Sequence, residues 1–188
     1  MSEAMTKSKF SVKEIAFIGV ITAMICVVAP FAIHIWSVPV AFANFVIMLG
    51  IYVLGVRDSL ISCLLYLTIG AIGVPVFAGM KGGFGVLTGT TGGYLVGYLA
   101  LIGVAGLFIC RLSKGNRFLD FLGLLLGTAV LYAFGTAWLA IVGKMTFVQA
   151  LFAGVIPFIP FDLAKIVAVA AVGPLLRKGT ERIKSGRY

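Results

Sequence analysis

The sequence predicts an all-α integral membrane protein, with six transmembrane helices in one domain (residues 1–188) and both termini on the cytoplasmic side. Three observations lead there. Of the 188 residues, 61% are hydrophobic and only 11% charged, with a mean hydropathy of +1.15. A soluble domain carries roughly 25% charged residues, so most of this chain must find its solvent in lipid. The charges are also gathered into short clusters between long uncharged runs, and the basic clusters fall on alternate sides of those runs.

The first run follows a basic tail, about residues 1–13, that holds Lys7, Lys9 and Lys13. It extends from Ile15 to Ile33, longer than the roughly 7–15 apolar residues of a signal-peptide core, and no small-x-small cleavage site closes it. It is therefore expected to remain as a first helix. From Ile15 to Val56 there are 42 residues without Asp, Glu, Lys or Arg, interrupted by Pro30, His34 and Pro39. At about 20 residues per span, that is two helices joined by a turn around Trp36–Pro39. Arg57 and Asp58 mark the next turn. Ser59 to Met80 reads as the third run, Gly82 to Cys110 as the fourth and Phe121 to Gly143 as the fifth. The sixth starts near Pro160, where a missing N–H costs a first helical turn nothing. It ends before Arg177 and a second basic tail at about 177–188.

With both termini inside, twelve Lys and Arg fall in inside segments and only Lys81 and Lys144 in outside loops. That asymmetry sets the orientation. The net charge of +9 then serves topology and contact with anionic lipid rather than nucleic acid. The widely spaced Cys26, Cys63 and Cys110 form no CxxC pair and read as small core residues, not as a disulfide framework. His34, the single histidine, has no Cys or acidic neighbour in sequence with which to hold a metal, and reads as a loop or interface residue.

Four features can carry chemistry. Asp162 and Lys165 lie inside the sixth run, where each ionisable group costs roughly 2.5–3.5 kcal/mol and is by default functional. Their i, i+3 spacing puts both on one helix face, about one turn from the outer end. An apolar pair would be as stable, so the pair is expected to serve a small polar ligand bearing N–H, C=O or carboxylate groups. The second feature is a glycine-rich stretch holding eight of the 24 glycines between Gly79 and Gly97. Gly89, Gly93 and Gly97 recur every four residues, as a close-packing stripe does. Paired Gly82-Gly83 and Gly92-Gly93, the latter preceded by Thr91, read as irregular backbone lining a cavity. Third, Ala16, Gly19 and Ala23 form a small-residue face on the first helix, available to another helix of this chain or of a partner. Fourth, Asn44 in the second span needs a hydrogen-bond partner, either another helix or the ligand. No GxxxxGK[ST], Gly-x-Ser-x-Gly or His-Glu-x-x-His occurs, so neither nucleotide hydrolysis nor a hydrolase is expected, and the chain reads as no enzyme.

The run Gly73-Val74-Pro75-Val76-Phe77-Ala78-Gly79, then Gly82-Gly83 and Leu87-Thr88-Gly89-Thr90-Thr91-Gly92-Gly93-Tyr94-Leu95-Val96-Gly97, resembles the signature of the BioY family. Pro160-Phe161-Asp162-Leu163-x-Lys165 matches the same family. These are the biotin-specific substrate-binding subunits, or S components, of energy-coupling factor (ECF) transporters. The resemblance implies a six-helix subunit in the plasma membrane of a prokaryote that captures biotin near the outer face, beneath the loops before the fourth helix. It implies a transmembrane coupling protein and two cytoplasmic ATPases as partners. No cofactor is implied, biotin being the transported ligand. Carried over by residue, Asp162 accepts from a ureido N–H, while Lys165 donates to the ureido oxygen or to the valerate carboxylate. Lys81 is a second candidate for that carboxylate, and Tyr94 and Phe77 are apolar walls for the thiophane ring. Ala16, Gly19 and Ala23 take the place of the family's docking face, with glycine for one alanine. Thr90 stands where the family usually has proline.

Overall fold

The computed structural model describes residues 11–34, 39–113 and 115–185. Lys7, Lys9, Trp36, Lys114 and Arg187, which the sequence assigns to tails and turns, lie outside them, as does the side chain of His34. The described chain is almost entirely helical. Its long helices are α1 (Val12–Val28), α2 (Ala43–Leu54), α3 (Val56–Ala71), α5 (Gly92–Leu107), α6 (Arg117–Val142) and α8 (Ile159–Ser185), with short α4 (Phe84–Thr88) and α7 (Phe147–Gly154) between them. A two-stranded antiparallel hairpin, β1 (Ala32–His34) and β2 (Pro39–Ala41), stands where the sequence predicts only a turn.

Local chemistry sets most of the boundaries. Glu14 accepts from the Ser11 backbone N–H at 2.8 Å and begins α1. Asn116 caps α6 by accepting from the Phe118 N–H at 2.9 Å, and Thr146 with Gln149 forms a reciprocal capping box on α7. Gly55, at φ +81°, provides the left-handed corner between α2 and α3. The third helix stops at Ala71 rather than Met80, and the fourth long helix, α5, begins at Gly92 rather than Gly82. Gly73, Gly79 and Gly83 have positive φ, and so does Met80; the segment between folds as a loop despite its apolar composition. The last helix runs on past Arg177 to Ser185, because charged residues leave the bilayer without ending a helix.

Three helical stretches, Gly92–Leu112, Arg117–Val142 and Phe147–Ile183, are long and apolar enough to cross a membrane. Large apolar side chains remain exposed around the bundle, among them Val20, Val27, Ile141, Val167 and Leu175. In water such a surface is a liability, and in lipid it is the ordinary exterior.

Inside, the helices meet through small residues and hydroxyls. On α5, Gly93 lies against Trp138 and Gly97 against Leu131. On α6, Gly123, Gly127 and Gly135 receive Phe108, Ala105 and Tyr94 in return. The two glycine faces let α5 and α6 interlock, as expected where dispersion rather than the hydrophobic effect holds helices together. Thr22 on α1 and Ser62 on α3 share a buried hydrogen bond of 2.9 Å. Of the cysteines read as core residues, Cys63 is buried, Cys26 half-buried and Cys110 exposed, and all three are unpaired. Helix directions alternate. Lys13 reaches the Ile183 carbonyl at one end of the bundle, whereas Asn44 meets Asp162 at the other.

Candidate functional site

The end of the bundle that holds Asp162 contains a cavity of about 320 Å³. That is within the range of small-molecule sites, roughly 300–1,000 Å³. Its walls come from α2, the α3–α4 loop, α4, α5, α6 and the start of α8. Most of the chain therefore converges on one space.

The polar wall is a network centred on Asp162. Its Oδ1 accepts from Asn44 Nδ2 at 2.9 Å and from Lys165 Nζ at 2.8 Å. Its Oδ2 accepts from the Tyr132 hydroxyl at 2.5 Å. Asp162 is 6% exposed and Lys165 9%. Neither charge could be held there alone, and together they form a neutral, hydrogen-bonded pair. The i, i+3 spacing on α8 accomplishes this, with Asp162 in the first turn of the helix. Asn44, in the first turn of α2, joins the two by giving an N–H to Asp162 and taking one from Lys165 at 3.1 Å. Lys165 spends its third N–H on the Ala41 carbonyl of β2 at 2.8 Å, with the Phe42 ring centroid 5.2 Å from its nitrogen. The ammonium thus ties α8, α2 and the hairpin together, and any ligand group that bonds it must displace one of three acceptors.

Of the residues singled out in the sequence, Asp162, Asn44, Thr91, Tyr94, Phe77 and Lys81 line this cavity. Lys165 stands behind them, reaching the cavity through Asp162 and Asn44. Phe77 is 1% exposed, its ring edge-on to Tyr66 with centroids 5.5 Å apart. Its backbone pairs with Lys81, which fixes the loop that carries both. Tyr94 donates to the Gly154 carbonyl at 3.0 Å and braces α5 against the end of α7.

The paired glycines have a different task from lining the cavity. A side chain at Gly82 would strike the Val74 and Gly73 carbonyls, at 2.5 and 2.6 Å. Gly83, at φ +98°, donates its N–H to the Gly70 carbonyl at 2.7 Å. A Cβ at Gly92 would run into the Leu87 carbonyl, and one at Gly93 into Trp138. Gly82, Gly92 and Gly93 are close-approach positions and Gly83 a left-handed one, and together they fold the wall, while Gly85, Gly89 and Thr90 furnish its surface. Trp138 pins that stretch by donating from Nε1 to the Gly89 carbonyl at 2.9 Å.

Sequence reasoning missed Tyr132, Tyr98 and Leu131, which also line the cavity. A tyrosine in an apolar run gives no sign of what it faces, and only the packing of α6 against α8 brings Tyr132 to Asp162.

The face formed by Ala16, Gly19 and Ala23 lies on the outside of α1. Among the described residues, no other element comes within 4 Å of where a Gly19 side chain would begin. Among the described residues, Ala16, Gly19 and Ala23 are all exposed.

Comparison with known proteins agrees with the layout. The chain is 34% identical over 169 residues to a probable biotin transporter BioY of Pyrococcus horikoshii, covering 89% of this chain and 98% of that one. It is 36% identical over 161 residues to the biotin transporter BioY of Thermotoga maritima, covering 85% and 93% respectively. A crystal structure of the S-component for biotin from an ECF-type ABC transporter superimposes with a TM-score of 0.82 at 28% identity, covering 93% of this chain and 95% of that chain. The sequence model of the BioY family matches residues 3–182. A multi-pass helical membrane protein, this chain belongs to the BioY family.

Proposed function

We propose that the chain is the biotin-binding subunit of an ECF transporter, capturing biotin from outside the cell and delivering it inward with an energy-coupling module. The observation that carries this reading is the cavity with Asp162 in its wall, in a chain whose relatives are biotin transporters. Apolar walls with a few fixed polar groups suit a small amphipathic ligand. Biotin has that character, with a ureido head, an apolar thiophane ring and a carboxylate tail. Asp162 accepts from a ureido N–H. Lys81, entering from the α3–α4 loop, meets the carboxylate in this reading, which the three acceptors already on the Lys165 ammonium favour.

The six long helices are the six spans of this proposal, with both termini in the cytoplasm of a prokaryote and the cavity under the outer face. The twelve-to-two partition of basic residues supports that orientation. The exposed small-residue face of α1 is the docking surface for a transmembrane coupling protein, which two cytoplasmic ATPases drive. The chain has no phosphate-binding loop of its own, so the energy for concentrating a vitamin is drawn from these partners.

The test is a binding panel on the purified chain in detergent, titrating biotin, thiamine and riboflavin by calorimetry. Saturable heat with biotin alone is expected. Saturation by another vitamin, with none by biotin, would overturn the proposal.

A further inference from the structure

Tyr132 is the cavity-lining residue for which neither the sequence motifs nor the apolar walls give a reason. Its ring sits in a small outer cluster with Leu139, Ala150 and Phe158, separate from the main core. Its hydroxyl therefore has a fixed position, 2.5 Å from Asp162 Oδ2. That is the short separation of an O–H bonded to a carboxylate. A phenol has one hydrogen, and this one is spent on Asp162. The oxygen is left able only to accept.

Asp162 is restricted in the same way. Its Oδ1 already takes N–H groups from Asn44 and Lys165. Capacity remains on Oδ2, which holds the Tyr132 hydrogen and has a lone pair to spare. Tyr132 Oη and Asp162 Oδ2 thus form an acceptor-only notch in a wall that both residues line. Such a notch takes an N–H. It rejects a ring oxygen, a sulfur or an alkylated nitrogen, each of which leaves buried acceptors without a donor.

We propose that Tyr132 is a ligand-binding residue that sets specificity, its phenol oxygen accepting one ureido N–H of biotin beside Asp162 Oδ2. This rests on the assignment of biotin to the cavity. In a five-membered cyclic urea the two N–H bonds point to opposite sides of the carbonyl. One notch therefore reads one nitrogen and is blind to the other.

Tyr132→Phe removes the oxygen and keeps the ring in its apolar cluster. Calorimetry on the wild type and this variant compares biotin with its two derivatives carrying a single methyl group on one or the other ureido nitrogen. Biotin affinity is expected to fall tenfold or more in Tyr132→Phe. The derivative methylated on the nitrogen that the notch reads should lose nothing further in the variant, because the N–H is already gone. The other derivative should lose the same factor as biotin. Biotin binding within twofold of wild type in Tyr132→Phe overturns the proposal. So does an equal loss for both derivatives, since the effect of Tyr132 then does not pass through a ureido N–H. A wild-type chain that binds no biotin overturns the parent assignment instead.

Discussion

Asp162→Ala lowers the biotin affinity of the isolated chain at least tenfold, a loss of about 1.4 kcal/mol or more. Asp162 accepts from Asn44, Lys165 and Tyr132 at once. Removing it takes away the acceptor proposed for the ureido N–H and strips three donors of their partner. The Lys165 ammonium is then a buried charge without its counterion, and breaking such a pair costs about 3–5 kcal/mol. Lys165→Ala is expected to act in the same direction. It leaves the buried Asp162 carboxylate without its counter-charge and releases the Ala41 carbonyl that holds β2 against α8. Both variants should therefore bind less biotin and unfold at lower temperature. Asp162→Asn keeps the shape and loses the charge, so it separates recognition from folding: its affinity should fall tenfold or more with a smaller change in melting. Unchanged affinity in both Asp162→Asn and Lys165→Ala would sink the site assignment.

The second large effect is on the exposed face of α1. Leucine in place of Gly19 or Ala23 should abolish co-purification with a coupling protein while leaving biotin binding intact. Close approach of two helix backbones in lipid depends on small residues at the contact. Among the described residues Gly19 has open space around it, so a larger side chain there meets none of them. The cost falls on the partner alone. Pull-down of the coupling module by tagged wild-type and variant chains, with biotin titrations in parallel, measures both properties. Normal assembly in the variants would contradict the docking role of α1.

How much of this was legible in the sequence depended on the kind of signal. Hydropathy and charge located the six long helices, because lipid imposes a length and composition on each. They could not place the ends of the third and fourth, because the 72–91 segment is apolar yet carries Gly73, Gly79 and Gly83 in left-handed conformations. Backbone geometry there overrides composition. Asp162 and Lys165 stood out because a charge in an apolar run is expensive, and the same reasoning flagged Asn44. The paired glycines stood out too, but composition alone does not separate a glycine that exposes backbone to a ligand from one that admits a neighbouring carbonyl. Gly82 and Gly92 are of the second kind. Tyr132 left no trace in the sequence, since its role exists only where α6 crosses the start of α8.

The most direct test of the central claim, that the Asp162 cavity is the biotin site, is a structure of the chain determined with saturating biotin. The ureido ring should lie at hydrogen-bonding distance, about 3 Å, from Asp162 Oδ2, with the thiophane ring among Phe77, Tyr94 and Leu95. Biotin found elsewhere, with Asp162 still bonded only to Asn44, Lys165 and Tyr132, would contradict it.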